Sequence, residues 1–172
     1  AEARSSGYVR TNASVLVEGT PKHDYLVETK VRLNLPPEGC CYNYVQAGLV
    51  IYGDDDNFIK LAHASIWETR QTEFAMEQAP VPAGYPRYGN TVIGAPGEWT
   101  WLRIAARRCG NVECYTGYTS QDGANWVRGG TWTQQLGSNA KIGLVAMGGS
   151  GFTAEFDYVR VFRINPNPTP DW

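Results

Sequence analysis

Hydrophobic and polar residues alternate along much of this chain with the two-residue period that is typical of a half-buried β-strand. The clearest stretch is 25–33 (YLVETKVRL), in which Glu28, Lys30 and Arg32 share one face while the apolar residues and a threonine share the other. No window shows a sustained helical period of about 3.6 residues. The best helical candidate, 68–79, is interpreted as a strand or an irregular excursion, with a short helix as the alternative. The pattern therefore predicts an all-β protein.

Turn-forming residues separate the alternating stretches and indicate which strands pair. Predicted strands at 44–52 and 57–65 are joined by a Gly-Asp-Asp-Asp turn, and those at 101–108 and 113–119 by a turn around Gly-Asn. The last two long strands, 141–147 and 153–164, are separated by a glycine-rich segment. Several strands at this spacing, joined by Gly, Asp and Asn turns, favour a two-sheet antiparallel β-sandwich.

Length and composition narrow the class of protein further. The chain has 172 residues, which predicts one module at 1–164 and a Pro-rich tail or linker at 165–172. The segment 78–98 contains four prolines and four glycines and is predicted to be an irregular binding loop. The formal net charge is −2 and no basic stripe stands out, so a nucleic-acid partner is not predicted. No apolar run approaches the roughly 20 residues of a membrane-spanning helix. The opening AEARSSG lacks the pattern of a signal peptide, and we expect a mature protein or a segment of a longer one.

Four cysteines, Cys40, Cys41, Cys109 and Cys114, allow three pairings. Cys109 and Cys114 flank the Gly-Asn turn and would face each other across a hairpin, which leaves Cys40 and Cys41 to pair with each other. Crossed pairing, with one of Cys40 and Cys41 bonded to each of the other two, is the rival, and four free thiols are the remaining alternative. The even count favours disulfides and hence secretion. A zinc site is not favoured, because the chain has no C-x-x-C motif.

Carboxylates are the first place to look for catalysis, because sugar hydrolysis uses a pair of them about 5 to 9.5 Å apart. Glu155 and Asp157 begin a glucanase-like E-x-D-x-x-E pattern, but Arg160 stands where the third acid would be. Glu73 with either Glu68 or Glu77 forms a pair without a supporting motif. The sequence therefore favours a non-catalytic function, with a sandwich-fold glycoside hydrolase or polysaccharide lyase as the alternative.

Aromatic residues in loops or at strand ends are the candidates for sugar binding, because the C–H face of a sugar ring stacks on Trp or Tyr. Hydroxyl groups need amide, imidazole or guanidinium partners. The predicted carbohydrate-binding residues are Trp67, Tyr85, Tyr88, Trp132, Gln46, His63 and Arg70. Trp101 is predicted to pack in the core, beside Leu102 and Ile104.

One turn and one acidic residue complete the candidates. The motif S-x-D-G-x-x-W at 120–126 predicts a turn in which Asp122 accepts backbone N–H groups, Gly123 takes a positive φ and Trp126 packs beneath. This turn is predicted to be structural. No cofactor is expected to be required. A structural calcium ion is the one candidate, with Asp157 as its predicted ligand and the acidic turn at 54–56 as the other oxygen-rich position.

Three segments together resemble a known module: QAGLVIYGDDDNFIKL (46–61), WLRI with YTSQDGANW (101–126), and KIGLVAMG with FDYVRVF (141–162). They are similar to the concanavalin A-like (laminin-G/jelly-roll) module that lies C-terminal to family-43 glycoside hydrolases and occurs in related carbohydrate-associated proteins. The resemblance covers 15–164, and LVEGTPKHDYLVETKVRL fits the early strand pair of that module. It implies a two-sheet sandwich, an extracellular location and association with polysaccharide breakdown. The cysteines and the proline-rich segment after residue 79 depart from the pattern.

The sequence thus predicts a secreted, non-catalytic carbohydrate-binding module for plant or microbial polysaccharide. A structural companion domain of a multidomain glycosidase is a third alternative, in which a neighbouring catalytic domain would be the partner.

Overall fold

The computed structural model describes residues 13–35, 43–148 and 151–165, and all of its regular secondary structure is β-strand. The predicted tail, apart from Asn165, and both Cys40 and Cys41 lie outside the described residues. Within these ranges no helix has the length and apolarity needed to cross a membrane. The eleven strands are β1 (Ser14–Gly19), β2 (Tyr25–Leu33), β3 (Val45–Asp54), β4 (Asn57–Ile66), β5 (Thr69–Glu77), β6 (Tyr88–Gly94), β7 (Thr100–Cys109), β8 (Val112–Ser120), β9 (Val127–Thr133), β10 (Lys141–Met147) and β11 (Ala154–Arg163).

These strands form two antiparallel sheets. The six-stranded sheet has the order β1-β10-β3-β4-β5-β6, and the five-stranded sheet has the order β11-β2-β7-β8-β9. The predicted all-β, two-sheet antiparallel sandwich is therefore confirmed. We call the face of each sheet that is turned away from the other sheet its outer face.

The core lies between the sheets and is filled by every second residue of the central strands. In β2, Val27 and Val31 are fully buried, whereas Lys30 and Arg32 point to the outer face, as the alternation predicts. Other large, fully buried residues of the core come from both sheets: Leu49, Ile51, Ile59, Leu61, Phe74, Leu102, Ile104 and Ile142.

Trp101 does not belong to this core, so the prediction that it packs inside is wrong. Leu102 takes the inward position of β7, and because side chains alternate along a strand, Trp101 points to the outer face. There the ammonium of Lys30, its cross-strand neighbour, lies 5.0 Å from the indole ring.

Two strands occur where the sequence did not predict them. β6 lies inside the segment 78–98 that was predicted to be a loop, and β9 follows the turn at 120–126. Each is the edge strand of its sheet and pairs with one neighbour only. An edge strand has a neighbouring strand on one side and solvent on the other, so β6 and β9 do not need a regular alternation of apolar and polar residues. The alternation used to predict strands from the sequence is therefore weak in these two segments. The segment 68–79, interpreted above as a strand or irregular excursion with a short helix as the alternative, contains β5.

A disulfide joins Cys109 and Cys114, whose Cα atoms are 5.9 Å apart at the end of the β7–β8 hairpin. This confirms the predicted pairing across the Gly-Asn turn. Gly110 adopts φ +67° in that turn, a left-handed conformation that glycine reaches without steric cost.

Candidate functional site

The predicted sugar-binding residues fall at opposite ends of the sandwich. Trp67 occupies the β4–β5 turn, whereas Tyr85 lies in the segment after β5, where the Gln78 N–H donates to the carbonyl of Arg87. The nine residues of β5 separate these two ends by roughly 27 Å at strand geometry. Trp67 and Tyr85 therefore do not contact the same sugar ring.

At the Trp67 end, two aromatic side chains project into solvent as a pair. Trp67 is 71% exposed and Tyr44 is 51% exposed, and their ring centroids are 6.3 Å apart in an edge-on arrangement. The Asn43 side-chain oxygen accepts the backbone N–H of Trp67 at 2.6 Å and fixes the turn against the residues before β3. We call Tyr44 and Trp67 the corner pair.

The backbone beneath the corner pair is strained. Tyr44, Trp67 and Glu68 have φ values of 68°, 50° and 63°, and they are the non-glycine residues with positive φ in the described part of the chain. Such conformations cost on the order of 1 to 3 kcal/mol each and cluster at binding and catalytic sites. Trp67 and Glu68 are the two loop residues of a tight hairpin, where Asn-Gly is the usual choice. An aromatic residue is thus held at a position that local preference would give to a smaller one.

A cleft of about 540 Å³ lies at this same end and is lined by residues of both sheets. Its polar lining residues are Arg32, Asn34, His63, Arg70, Glu98 and Glu155. Glu155 on β11 lies opposite Arg32 on β2 in the strand register and accepts its hydrogen bond at 2.8 Å, and Glu98 accepts a second at 3.3 Å. One guanidinium and two carboxylates therefore form a polar wall.

The opposite wall carries two of the predicted residues. His63 is fully buried, and its Nε2 accepts a hydrogen bond from Arg70 Nε at 2.9 Å. The proton of the neutral ring therefore sits on Nδ1, which has no partner among the described residues. Burial, and then the charge of Arg70, lower the pKa of His63 to about 3, so the imidazole is neutral near pH 7. The Nη1 of Arg70 also donates to the Leu35 carbonyl at 3.3 Å, which ties β5 to the end of β2.

Gln46 and Tyr88 lie away from the cleft, on the outer face of the six-stranded sheet. There Lys60 Nζ lies 3.2 Å from Glu73 and donates to Gln46 at 2.5 Å, and the Tyr88 hydroxyl donates to Glu73 at 2.5 Å. Both charged side chains are only 1% exposed. Sequence reasoning missed Lys60, and it considered Glu73 only as a partner of Glu68 or Glu77. Lys60 and Glu73 alternate with core residues on β4 and β5 and so share one outer face.

Trp132 packs at the β6–β9 edge of the sandwich. Its ring centroid is 6.2 Å from that of Phe74, and its indole N–H donates to the Phe74 carbonyl at 3.2 Å. These contacts stabilise the edge where the two sheets meet and do not bring Trp132 to the corner pair.

Four of the predicted residues lie at or beside the end that carries the corner pair: Trp67, His63, Arg70 and Gln46. Gln46 is counted here because its side-chain amide donates to the Tyr44 carbonyl at 3.4 Å.

The acidic residues considered for calcium each have a protein partner. Asp157 pairs with Lys30 at 3.2 Å, Asp55 accepts from the Tyr52 hydroxyl at 2.6 Å, and Asp56 accepts from Arg87 at 2.7 Å. Within 13–35, 43–148 and 151–165, no three His, Cys, Asp or Glu side chains gather as metal ligands would. A calcium ion at Asp157 stays a prediction.

The turn at 120–126 is built as predicted. The Asp122 carboxylate accepts the N–H groups of Ala124 and Asn125 at 2.8 and 2.7 Å, and these bonds hold its pKa well below the usual range. Gly123 has φ +76°, and the Trp126 indole N–H donates to its carbonyl at 3.2 Å. The motif thus orders the β8–β9 connection.

Comparisons with known proteins identify the fold. No family model matches the sequence, and no curated protein is significantly similar to it. A functionally unknown protein from Saccharomyces cerevisiae is 14% identical with a TM-score of 0.63, covering 88% of this chain and 74% of that one. The GH43 protein BlXynB from Bacillus licheniformis is 18% identical with a TM-score of 0.65, covering 88% of this chain, which spans only 30% of that protein. A legume lectin-like domain from Entamoeba histolytica is 8% identical with a TM-score of 0.60, covering 89% of this chain and 79% of that one. The chain therefore has the fold of a concanavalin A-like β-sandwich.

Proposed function

We propose that this β-sandwich is a non-catalytic carbohydrate-binding module that binds polysaccharide at the end carrying the corner pair and the cleft. The observation that carries the proposal is the strained backbone that presents Trp67 and Tyr44 to solvent beside a polar cleft. An exposed indole offers the flat apolar surface on which a sugar ring stacks. Lectin-like and glycosidase-associated folds among the similar structures agree with this assignment.

The cleft supplies the hydrogen bonds that such a ligand needs. Arg32 and Asn34 are donors on one wall. On the other wall His63 is fully buried, and its Nε2 accepts a hydrogen bond from Arg70 and so holds that side chain in place.

Binding without cleavage fits the state of the cleft carboxylates. Glu98 and Glu155 both accept hydrogen bonds from Arg32, which suits them to orient that guanidinium toward a ligand. The disulfide is evidence in favour of an oxidising, extracellular location for the protein.

The test is a pull-down of the full chain with insoluble plant and microbial polysaccharides, with released sugar measured in the same tubes. Trp67→Ala should lower the affinity by about 1 to 3 kcal/mol, the range of a binding hot spot, without unfolding the domain. Tyr85→Ala is the matched control, since Tyr85 is a similarly exposed aromatic residue (67%) at the opposite end.

Each other outcome points to a different function. Unchanged binding by folded Trp67→Ala removes the corner pair from the site. Sugar release that one carboxylate substitution abolishes establishes a glycoside hydrolase or lyase. No binding to any glycan favours a structural companion domain. Loss of binding in EDTA that Asp157→Asn reproduces supports the predicted calcium ion.

A further inference from the structure

A row of side chains crosses the outer face of the five-stranded sheet, on a surface that the proposed function does not use. The strand register aligns one residue from each strand: Arg160, Glu28, Arg103, Tyr118 and Arg128. At about 4.8 Å between neighbouring strands, the row is roughly 19 Å long. We call these five residues the arginine row.

The centre of the arginine row is rigid. Glu28 is 5% exposed and accepts hydrogen bonds from Arg103 Nε and, at 2.5 Å, from the Tyr158 hydroxyl. The Arg103 guanidinium also lies 3.6 Å from the ring centroid of Trp126, which stacks against it. The negative charge of Glu28 therefore neutralises the positive charge of Arg103, and these contacts hold the middle of the row in one geometry.

The two ends of the row carry charge that the described residues do not balance. Arg160 lies over the ring of Tyr158 at 4.2 Å, and Arg128 bonds to the Gly129 carbonyl and the Thr131 hydroxyl, both at 3.4 Å. In the part of the chain that the structure describes, neither guanidinium has a carboxylate within 4.0 Å. The row thus has a local positive excess, although the whole chain has a formal net charge of −2.

The neighbouring row supplies aromatic surface without further net charge. Lys30 lies between the rings of Trp99 and Trp101, 4.6 and 5.0 Å from their centroids, and pairs with Asp157 at 3.2 Å. Aromatic rings beside unbalanced guanidinium groups match a ligand that has both flat C–H faces and carboxylates.

We propose that the outer face of the five-stranded sheet binds an acidic polysaccharide, a chain of uronate sugars laid across the strands along the arginine row. Arg160 and Arg128 donate paired hydrogen bonds to uronate carboxylates, and Tyr118 lies under a sugar ring between Arg103 and Arg128. Nucleic acid is disfavoured, because its high phosphate density calls for a strongly basic domain and this one has a pI of about 5.7.

The experiment measures binding of the full chain to polygalacturonate and to its methyl ester by affinity electrophoresis at low and physiological salt. The double variant R128Q/R160Q should weaken binding to polygalacturonate by roughly tenfold or more, since each lost hydrogen bond is charge-assisted. The charge-matched control R108Q/R163Q removes two exposed arginines outside the row and should leave the affinity within about twofold. Esterification should weaken binding of the wild type as the double variant does.

Several results would overturn the proposal: no binding of polygalacturonate, equal weakening by both double variants, or equal affinity for the methyl ester. Tighter binding of DNA than of polygalacturonate would assign the row to another class of polyanion. Trp67→Ala should leave polygalacturonate binding unchanged. The proposal for the arginine row and the proposal for the corner pair are therefore tested independently of each other.

Discussion

His63 makes the stability of this domain depend on pH in a calculable way. The ring is fully buried beside Arg70, and its pKa is about 3 in the folded protein, against about 6.5 in an unfolded chain. Between these two pH values the unfolded chain binds a proton at His63 and the folded chain does not. The contribution of the neutral ring to stability is therefore complete above about pH 7 and is lost progressively as the pH falls.

The size of the effect follows from the two pKa values. Lowering the pH from 7.5 to 5.0 takes the unfolded imidazole from about 10% to almost fully protonated, while the folded ring stays neutral. At about 1.4 kcal/mol per pH unit below 6.5, the free energy of unfolding should fall by about 2 kcal/mol from this residue alone.

Urea unfolding of the wild type and of His63→Gln, measured at half-unit steps between pH 7.5 and 5.0, isolates this contribution. Glutamine retains an acceptor for Arg70 but does not titrate, so the difference in unfolding free energy between the two proteins should decline by about 2 kcal/mol over this range. His23→Gln, at an exposed histidine, controls for the loss of an imidazole as such. A difference that stays constant within about 0.5 kcal/mol would show that His63 is not held neutral by burial.

Substitutions at three further places in the fold test the packing of the sandwich by denaturant unfolding. Lys60→Met should destabilise the fold by about 3 to 5 kcal/mol because it leaves Glu73 buried without its cation, and Lys60→Met/Glu73→Leu should recover much of that loss. Gly48→Ala should cost about 3 kcal/mol or more or prevent folding, because its Cβ would lie 2.1 Å from a backbone oxygen of β4. Replacing both Cys109 and Cys114 by serine should cost only about 2 kcal/mol, since the disulfide closes a loop with a sequence separation of 5. A smaller loss for Lys60→Met or Gly48→Ala would contradict the burial of the ion pair or the close approach of the backbone, and a loss well above about 2 kcal/mol for the cysteine variant would contradict the short loop.

Local patterns in the sequence led to correct predictions for one strand and one turn. The alternation in β2 predicted its buried and outer residues, and the spacing in the turn at 120–126 placed Asp122 as the acceptor of two N–H groups. Trp101 shows where local reasoning failed. Its apolar neighbours suggested burial, but strand alternation gives the inward positions to Leu102 and Ile104.

The composition of the candidate site could not be predicted from residues that are close together in the sequence. Trp67 and Tyr85 both lie in exposed loops, and only the course of β5 shows that they occupy opposite ends of the sandwich. The left-handed backbone at Tyr44 and Trp67 could not be inferred either, because these residue types rarely adopt it and surrounding structure must impose it.

The sequence by itself determined the two-residue periodicity, the turns and hence an all-β sandwich, because each depends on residues that are close along the chain. Only the tertiary structure decided the order of strands in each sheet and so which side chains meet. The pairing of β2 with both β7 and β11 aligned the arginine row, and the approach of β5 to the end of β2 formed the cleft. Such pairings join residues many positions apart, and their register is set by packing of the whole core rather than by any one segment.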